Sequence, residues 1–391
     1  MDWNTKTAAN VKAIKPSGIR KFFDIAAQVK GVLSLSIGEP DFAAPDKVLD
    51  AMKASLDAKE TSYTGNSGMM ELREAISQHF EKRYGVHYDP KDEILVTVGV
   101  SEGLAMALLA ITEPGDEVII PDPAYVAYPA SVELAGGTPV FVPTYPEHDF
   151  KLTVEALEKV ITPKTKAIVI GYPNNPTGTV MSAEELMPIA KFAEEHDLIV
   201  LSDEIYCELM YGDAKFTSFA KLPGMRERTV IFNGFSKAYA MTGMRLGYVC
   251  APREGLAPIL KLHQYAIMCA NTTAQVGGIT ALKECDDDVE AMRQEYDRRR
   301  KVIYKGLCDM GLPVFEPKGA FYIFPDIRCT GMTSAEFCEK LVQEEKVAVV
   351  PGTAFGAQGE GFVRISYAAS MDTIQEALKR MARFVEKYRS C

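Results

Sequence analysis

The chain lacks a usable cysteine framework: its eight cysteines are scattered through 391 residues without one C-x-x-C pair, which argues against a disulfide scaffold and against a zinc site. No apolar run approaches the ~20 residues of a membrane span, and the start, "MDWNTKTAAN", has neither the basic nor the apolar region of a signal peptide. A soluble, unprocessed protein of the reducing cytoplasm is expected, with no membrane partner. Positive charge is in deficit: 43 Lys and Arg against 53 Asp and Glu leave a net charge of −10, a field that repels nucleic acid and anionic lipid. The five histidines, His79, His87, His148, His196 and His263, are too dispersed for a metal cluster. Surface or packing roles are expected of them, and no metal. Internal repeats, low-complexity tracts and long linkers are absent too.

What is present is ordinary for a globular protein: 47% hydrophobic and 25% charged residues. At ~100–200 residues per domain the length suggests two or three domains. Between about Glu93 and Cys250, short β-branched runs alternate with amphipathic stretches, the pattern of βα units in a mostly parallel α/β sheet. "ILVTV" from Ile94, "EVII" from Glu117, "PVFV" from Pro139, "AIVI" from Ala167, "LIVL" from Leu198, "TVIF" from Thr229 and "LGYVC" from Leu246 read as strands. Several are too apolar to have a wet face, so helices are expected over them. Helical spacing covers 104–111, 153–160 and 183–195, the last two behind a Thr or Ser able to cap a first turn. Beyond about Asp288 comes a long charged helix, then "VFEP", "AFYIF", "VAVV" and "FVRISYA" as strands with helices among them. The expected division is an arm over 1–45 packing on the domains, a large α/β domain over 46–287 and a small α+β domain over 288–391.

Ligands of open α/β sheets gather beyond the carboxyl ends of the strands, and the polar residues here follow those ends. After "ILVTV" the turn "GVSEG" opens a helix whose free N–H groups suit a phosphate. After "AIVI" comes "GYPNNPTG", where turn formation accounts for one of Asn174 and Asn175. After "LIVL" comes "SDEIY", placing Asp203 and Glu204 at a depth where a cationic partner is expected. After "TVIF" comes "NGFSKAYAMTGMRLGY". Lys237, set among small residues, is suited to act as an amine nucleophile toward an aldehyde, and Arg245 to grip a phosphate. Phosphate site, acid, amide, phenol, lysine and arginine share one explanation, pyridoxal 5′-phosphate, with Lys237 on the aldehyde and Asp203 on the pyridine nitrogen.

With these motifs, and with "SIGEPDF", "YTGNSGMMELREAI", "PDPAYVAY", "KGAFYIFP", "VPGTAFG" and "GFVRISYA" in the same order, the chain resembles the class I aminotransferases of pyridoxal-phosphate fold type I. The match runs almost end to end and lies nearest the bacterial aromatic, aspartate and N-acetyl-diaminopimelate aminotransferases. The resemblance implies Lys237 as the Schiff-base lysine and proton shuttle, Asp203 on the pyridine nitrogen, and Asn175 and Tyr206 on the phenolic oxygen. It implies Tyr125 on the ring face, and the phosphate held by Val100, Ser101, Glu102, Ser236 and Arg245. Tyr63 would reach the phosphate from a second subunit, which implies a homodimer with shared sites. Gly234 stands where many relatives have serine, so Arg245 carries more weight than Gly234 or Ser236. Arg364, on the strand face opposite Val363 and Ile365, would bind the substrate α-carboxylate with Asn175 and the Gly38 backbone.

The activity so implied is ping-pong transfer of an amino group from an L-amino acid to a 2-oxo acid such as 2-oxoglutarate. A C–S β-lyase on the same fold would use the same lysine and aspartate. A ligand-sensing regulator built on this fold would need an added DNA-binding module, and no helix-turn-helix fits among the first forty or so residues. No cation stands out for a second substrate carboxylate, and the aromatics Phe22, Tyr125 and Phe355 do not by themselves make an aromatic pocket.

Overall fold

A computed structural model describes residues 1–14, 18 and 29–389. After β1 (Leu33–Ser34), a seven-stranded sheet forms from β2 (Ile94–Thr97), β3 (Glu117–Asp122), β4 (Thr138–Pro143), β5 (Thr165–Ile170), β6 (Ile199–Asp203), β7 (Thr229–Gly234) and β8 (Gly247–Cys250). Their order across the sheet is β2-β8-β7-β6-β5-β3-β4. β2, β6 and β7 are buried nearly throughout, as their unbroken apolar runs require, while the edge strand β4 is partly exposed. Helices at Gly99–Ile111, Ala183–Glu195, Arg253–Ala266 and Thr272–Glu284 cover the faces. Ser182 and Glu185 form a reciprocal cap at the start of the second of these.

One strand departs from the expected succession of βα units. β8 runs antiparallel to both β2 and β7, because its connection from β7, residues 235–246, holds only a 3-10 turn at Thr242–Met244 and no crossover helix. The helix expected over 153–160 is a single turn, Val154–Leu157, capped by Thr153. The helix expected from 104 begins already at Gly99.

Beyond the helix Asp286–Asp309, β9 (Tyr322–Ile323), β10 (Val347–Ala348), β11 (Val350–Pro351) and β12 (Val363–Ser366) are short. "VAVV" is split: β10 pairs in parallel with β1, and β11 pairs antiparallel with β12. "VFEP" is not a strand. Prolines 313 and 317 bracket it, and their carbonyls go to the Asp326 N–H and to Arg300. Around these strands a separate core gathers Tyr296, Phe321, Phe337, Tyr367 and Phe384. The amino-terminal segment touches both layers of the chain: Asn10 donates to the Leu134 carbonyl, and β1 joins β10.

Candidate active site

The parallel strands β2, β3, β5, β6 and β7 end on one side of the sheet, and β8 begins there because it runs the other way. A cavity of ≈ 870 Å³ lies over those ends. Its walls bring together Gly38, Val100, Ser101, Tyr125, Asn175, Asp203, Tyr206, Ser236, Lys237, Arg245 and Arg364. Glu102 and Tyr63 are not among the lining residues: the Glu102 carboxylate is taken by His263 and the Val98 N–H, and Tyr63 is 81% exposed. Phe22 lies outside the described residues.

Lys237 donates to the Gly38 carbonyl at 2.7 Å. Burial, helped by the charge of Arg364, lowers its pKa to about 8. Asp203 closes β6, and its hydrogen-bond partners within the chain are neutral: the Tyr128 hydroxyl donates to it at 2.8 Å and the Ile205 N–H at 3.2 Å. Burial raises its pKa despite these bonds. Glu204, also expected beside a cation, is held instead by the hydroxyls of Ser202 and Ser218 and the Phe219 N–H. Burial lifts its pKa to about 7, favouring the neutral form, which needs no counter-charge.

Arg364 is buried, with Nη1 on Asn175 Oδ1 at 2.9 Å and Nη2 on the Ser36 carbonyl at 2.6 Å. Its Nε has no partner among the described residues, and its guanidinium lies over the rings of Tyr322 and Phe355 at 4.5 and 4.8 Å. Asn174 is the turn-former of its pair, bonding the backbone of Gly171 and Thr177, which leaves Asn175 to the cavity. Tyr206 shares a 2.8 Å hydroxyl contact with Tyr322.

On the opposite wall Arg245, itself at φ +52°, lies so close to Gly99 that a Cβ there would come within 2.6 Å of its Nη2. A Cβ on Gly247 would strike the Gly99 and Val100 backbone at 2.7 Å. The first turn of the helix Gly99–Ile111 thus meets Arg245 without intervening side chains. Gly234 packs on the Gly247 backbone, where a Cβ would approach to 2.7 Å, so no side chain fits there.

Sequence reasoning gave no role to Tyr128, Tyr322, Ser36 or His263. The first two sit inside quoted motifs, but their hydroxyl partners lie 75 and 116 residues away. Among the described residues no group of three or more His, Cys, Asp or Glu could hold a metal ion, and no helix is long and apolar enough to cross a membrane.

The family model "Aminotransferase class I and II" matches residues 30–381. The chain is 50% identical over 376 residues to an aspartate aminotransferase of Pyrococcus abyssi, covering 96% of this chain and 97% of that one. It is 47% identical over 379 residues to aromatic-amino-acid aminotransferase 2 of Thermococcus litoralis, with the same coverage. The crystal structure of an aromatic aminotransferase from Pyrococcus horikoshii OT3 superposes with a TM-score of 0.90 at 49% identity, over 94% of this chain and 99% of that one.

Proposed function

Since the chain belongs to the class I and II aminotransferases and is a transaminase, we propose that it uses pyridoxal 5′-phosphate to move the amino group of an L-amino acid to 2-oxoglutarate by a ping-pong mechanism. The observation that carries the reading is the convergence of Lys237, Asp203, Arg245 and Arg364 on one cavity. The donor set fits the group. A cradle free of side chains joins the helix Gly99–Ile111 to Arg245, and the buried Arg364 Nε has no partner among the described residues, as suits a site for a carboxylate.

When bound, pyridoxal phosphate supplies an aldehyde for amine exchange and a protonated ring that takes up negative charge from the substrate α-carbon. Val100, Ser101, Ser236 and Arg245, with the Glu102 backbone in the helix's first turn, would hold the phosphate, Asn175 and Tyr206 the phenolic oxygen, Asp203 the ring nitrogen, and Tyr125 the ring face. Arg364 orients the substrate by its α-carboxylate, assisted by Asn175 and the Gly38 backbone. Lys237 Nζ takes and returns the α-proton. A lysine with its pKa near 8 offers a useful fraction of free amine at neutral pH, which an exposed lysine does not.

Tyr63, exposed on its own subunit, serves the phosphate of a neighbour in a homodimer of the cytoplasm, and each subunit divides into an arm at 1–45, a large domain at 46–287 and a small one at 288–391. The test is direct. Lys237→Ala is expected to abolish the visible absorbance of lysine-bound cofactor and turnover together, and a variant keeping both ends the assignment. A donor panel with 2-oxoglutarate, including phenylalanine, tyrosine, aspartate, alanine and N-acetyl-diaminopimelate, then fixes the preferred substrate. Ammonia and pyruvate released from cystathionine without amino transfer would identify a lyase instead.

A further inference from the structure

His263, expected from its isolation in the sequence to pack or face solvent, is wholly buried and bonded through both ring nitrogens. Nε2 lies 2.9 Å from the Asn66 carbonyl. A carbonyl only accepts, so Nε2 carries a proton and donates it. Nδ1 lies 2.5 Å from Oε1 of Glu102, and the other oxygen of that carboxylate accepts the Val98 N–H at 2.5 Å. Glu102 stands in the first turn of the helix Gly99–Ile111, so one imidazole grips the turn that faces Arg245. Through Asn66 it also grips the segment that carries Tyr63.

That segment has further anchors. The Thr272 hydroxyl donates to the Ser62 carbonyl at 2.8 Å, the Gln275 amide to the Thr64 hydroxyl at 3.1 Å, the Asn66 amide to the Met268 carbonyl at 2.8 Å and the Val96 N–H to the Ser67 carbonyl at 3.0 Å. None of these bonds touches the turn at Val98–Glu102. Tyr63 itself is 81% exposed and does not line its own cavity.

We infer that His263 and Glu102 are positioning residues that lock the phosphate turn of one site to the loop presented to the other, so that the two cofactor sites of the dimer depend on one another. The inference rests on the proposed function, in its assignment of the phosphate to that turn and of Tyr63 to the neighbouring subunit. A shift of the turn as it closes on a phosphate is passed through a buried, twice-bonded ring to the Asn66 backbone, three residues from Tyr63. Such rings transmit displacement because neither partner can move without leaving a polar group unpaired.

Hybrid holoenzyme dimers test this. A wild-type chain is paired with a Lys237→Ala chain, so that visible absorbance reports lysine-bound pyridoxal phosphate only at the wild-type chain's site. Its affinity is compared with that in a second hybrid, whose partner chain carries Lys237→Ala and His263→Gln together. There the reporting site keeps its own His263 and differs only in the loop it receives. A roughly tenfold weakening is expected, the equivalent of about one hydrogen bond. A role confined to the stability of the altered chain leaves the wild-type site unchanged, and equal affinities overturn the inference. Where His263→Gln prevents assembly, Glu102→Gln in the same chain spares the bond to Asn66; weakening again supports the link and unchanged affinity overturns it. A monomeric chain, or a control hybrid without the absorbance, overturns the cofactor and dimer reading instead, and the inference with it.

Discussion

Tyr128 donates to Asp203 at 2.8 Å, and this bond works against burial, which raises the Asp203 pKa. The role proposed for Asp203, holding a protonated ring nitrogen, needs the charged acid, and the Tyr128 bond favours that form. Tyr128→Phe is expected to raise the Asp203 pKa further and to lower cofactor affinity by roughly ten- to hundredfold, the range for losing one hydrogen bond to a charged group. Titration of the apo variant with pyridoxal phosphate checks it; an affinity equal to wild type would show that the tyrosine does not act on the acid. Asp203, Lys237 and Arg364 were legible because each follows or interrupts an apolar strand, where a charge has no packing reason to be. Tyr128 and Tyr322 were not, since a buried tyrosine reads as core until the chain has folded and shown what its hydroxyl meets. The cation expected beside Glu204 failed for a related reason. Hydroxyls from Ser202 and Ser218 and a backbone N–H all bond Oε1 of that carboxyl, while Oε2 is buried without a partner among the described residues, and a sequence does not show which serines will face it.

Elements were legible to the extent that local pattern decides them. The seven long strands lie where their apolar runs stand, because burial on both faces writes itself into composition. The direction of β8 was hidden, since it depends on what the intervening chain cannot build. The short strands near the carboxyl end were partly hidden, because their pairing joins β10 to β1 across more than three hundred residues. The joint between the end of β3 and the segment after β11 is of the same long-range kind. Asp122 accepts the Ala357 and Gln358 N–H groups at 3.0 and 3.2 Å, and Gly356 beside them adopts φ +137° and ψ 174°, a region open almost only to glycine. A Cβ there would lie 1.9 Å from Asp122 Oδ1. Gly356→Ala is therefore expected to cost at least about 1–3 kcal/mol in backbone strain alone. Urea denaturation of the apo protein measures it, and a loss under half of that range would contradict the geometry.

At the scale of the molecule, Glu204 gives stability an uncommon dependence on pH. Its pKa in the folded chain is about 7, raised by burial from an ordinary 4.5. The folded state therefore binds the proton more tightly than the unfolded one. The stability from this group is complete below pH 4.5 and is lost as pH rises through 7. Glu204→Gln should remove that loss, so that between pH 5 and 7.5 the variant's unfolding free energy falls less than wild type's, by on the order of 2 kcal/mol. Parallel curves from urea unfolding at several pH values would show that the carboxyl is already charged when folded. The reversal at β8 has a molecular consequence of its own. Gly234 pairs with Gly247 across β7 and β8, and Lys237 and Arg245 both hang from the loop between them. The span from amine to guanidinium is therefore set within one hairpin and does not vary with how the larger layers settle. On the proposed reading the hairpin is a gauge: a molecule would be admitted by the distance between its aldehyde and its anion, and one residue added to the loop would recalibrate it.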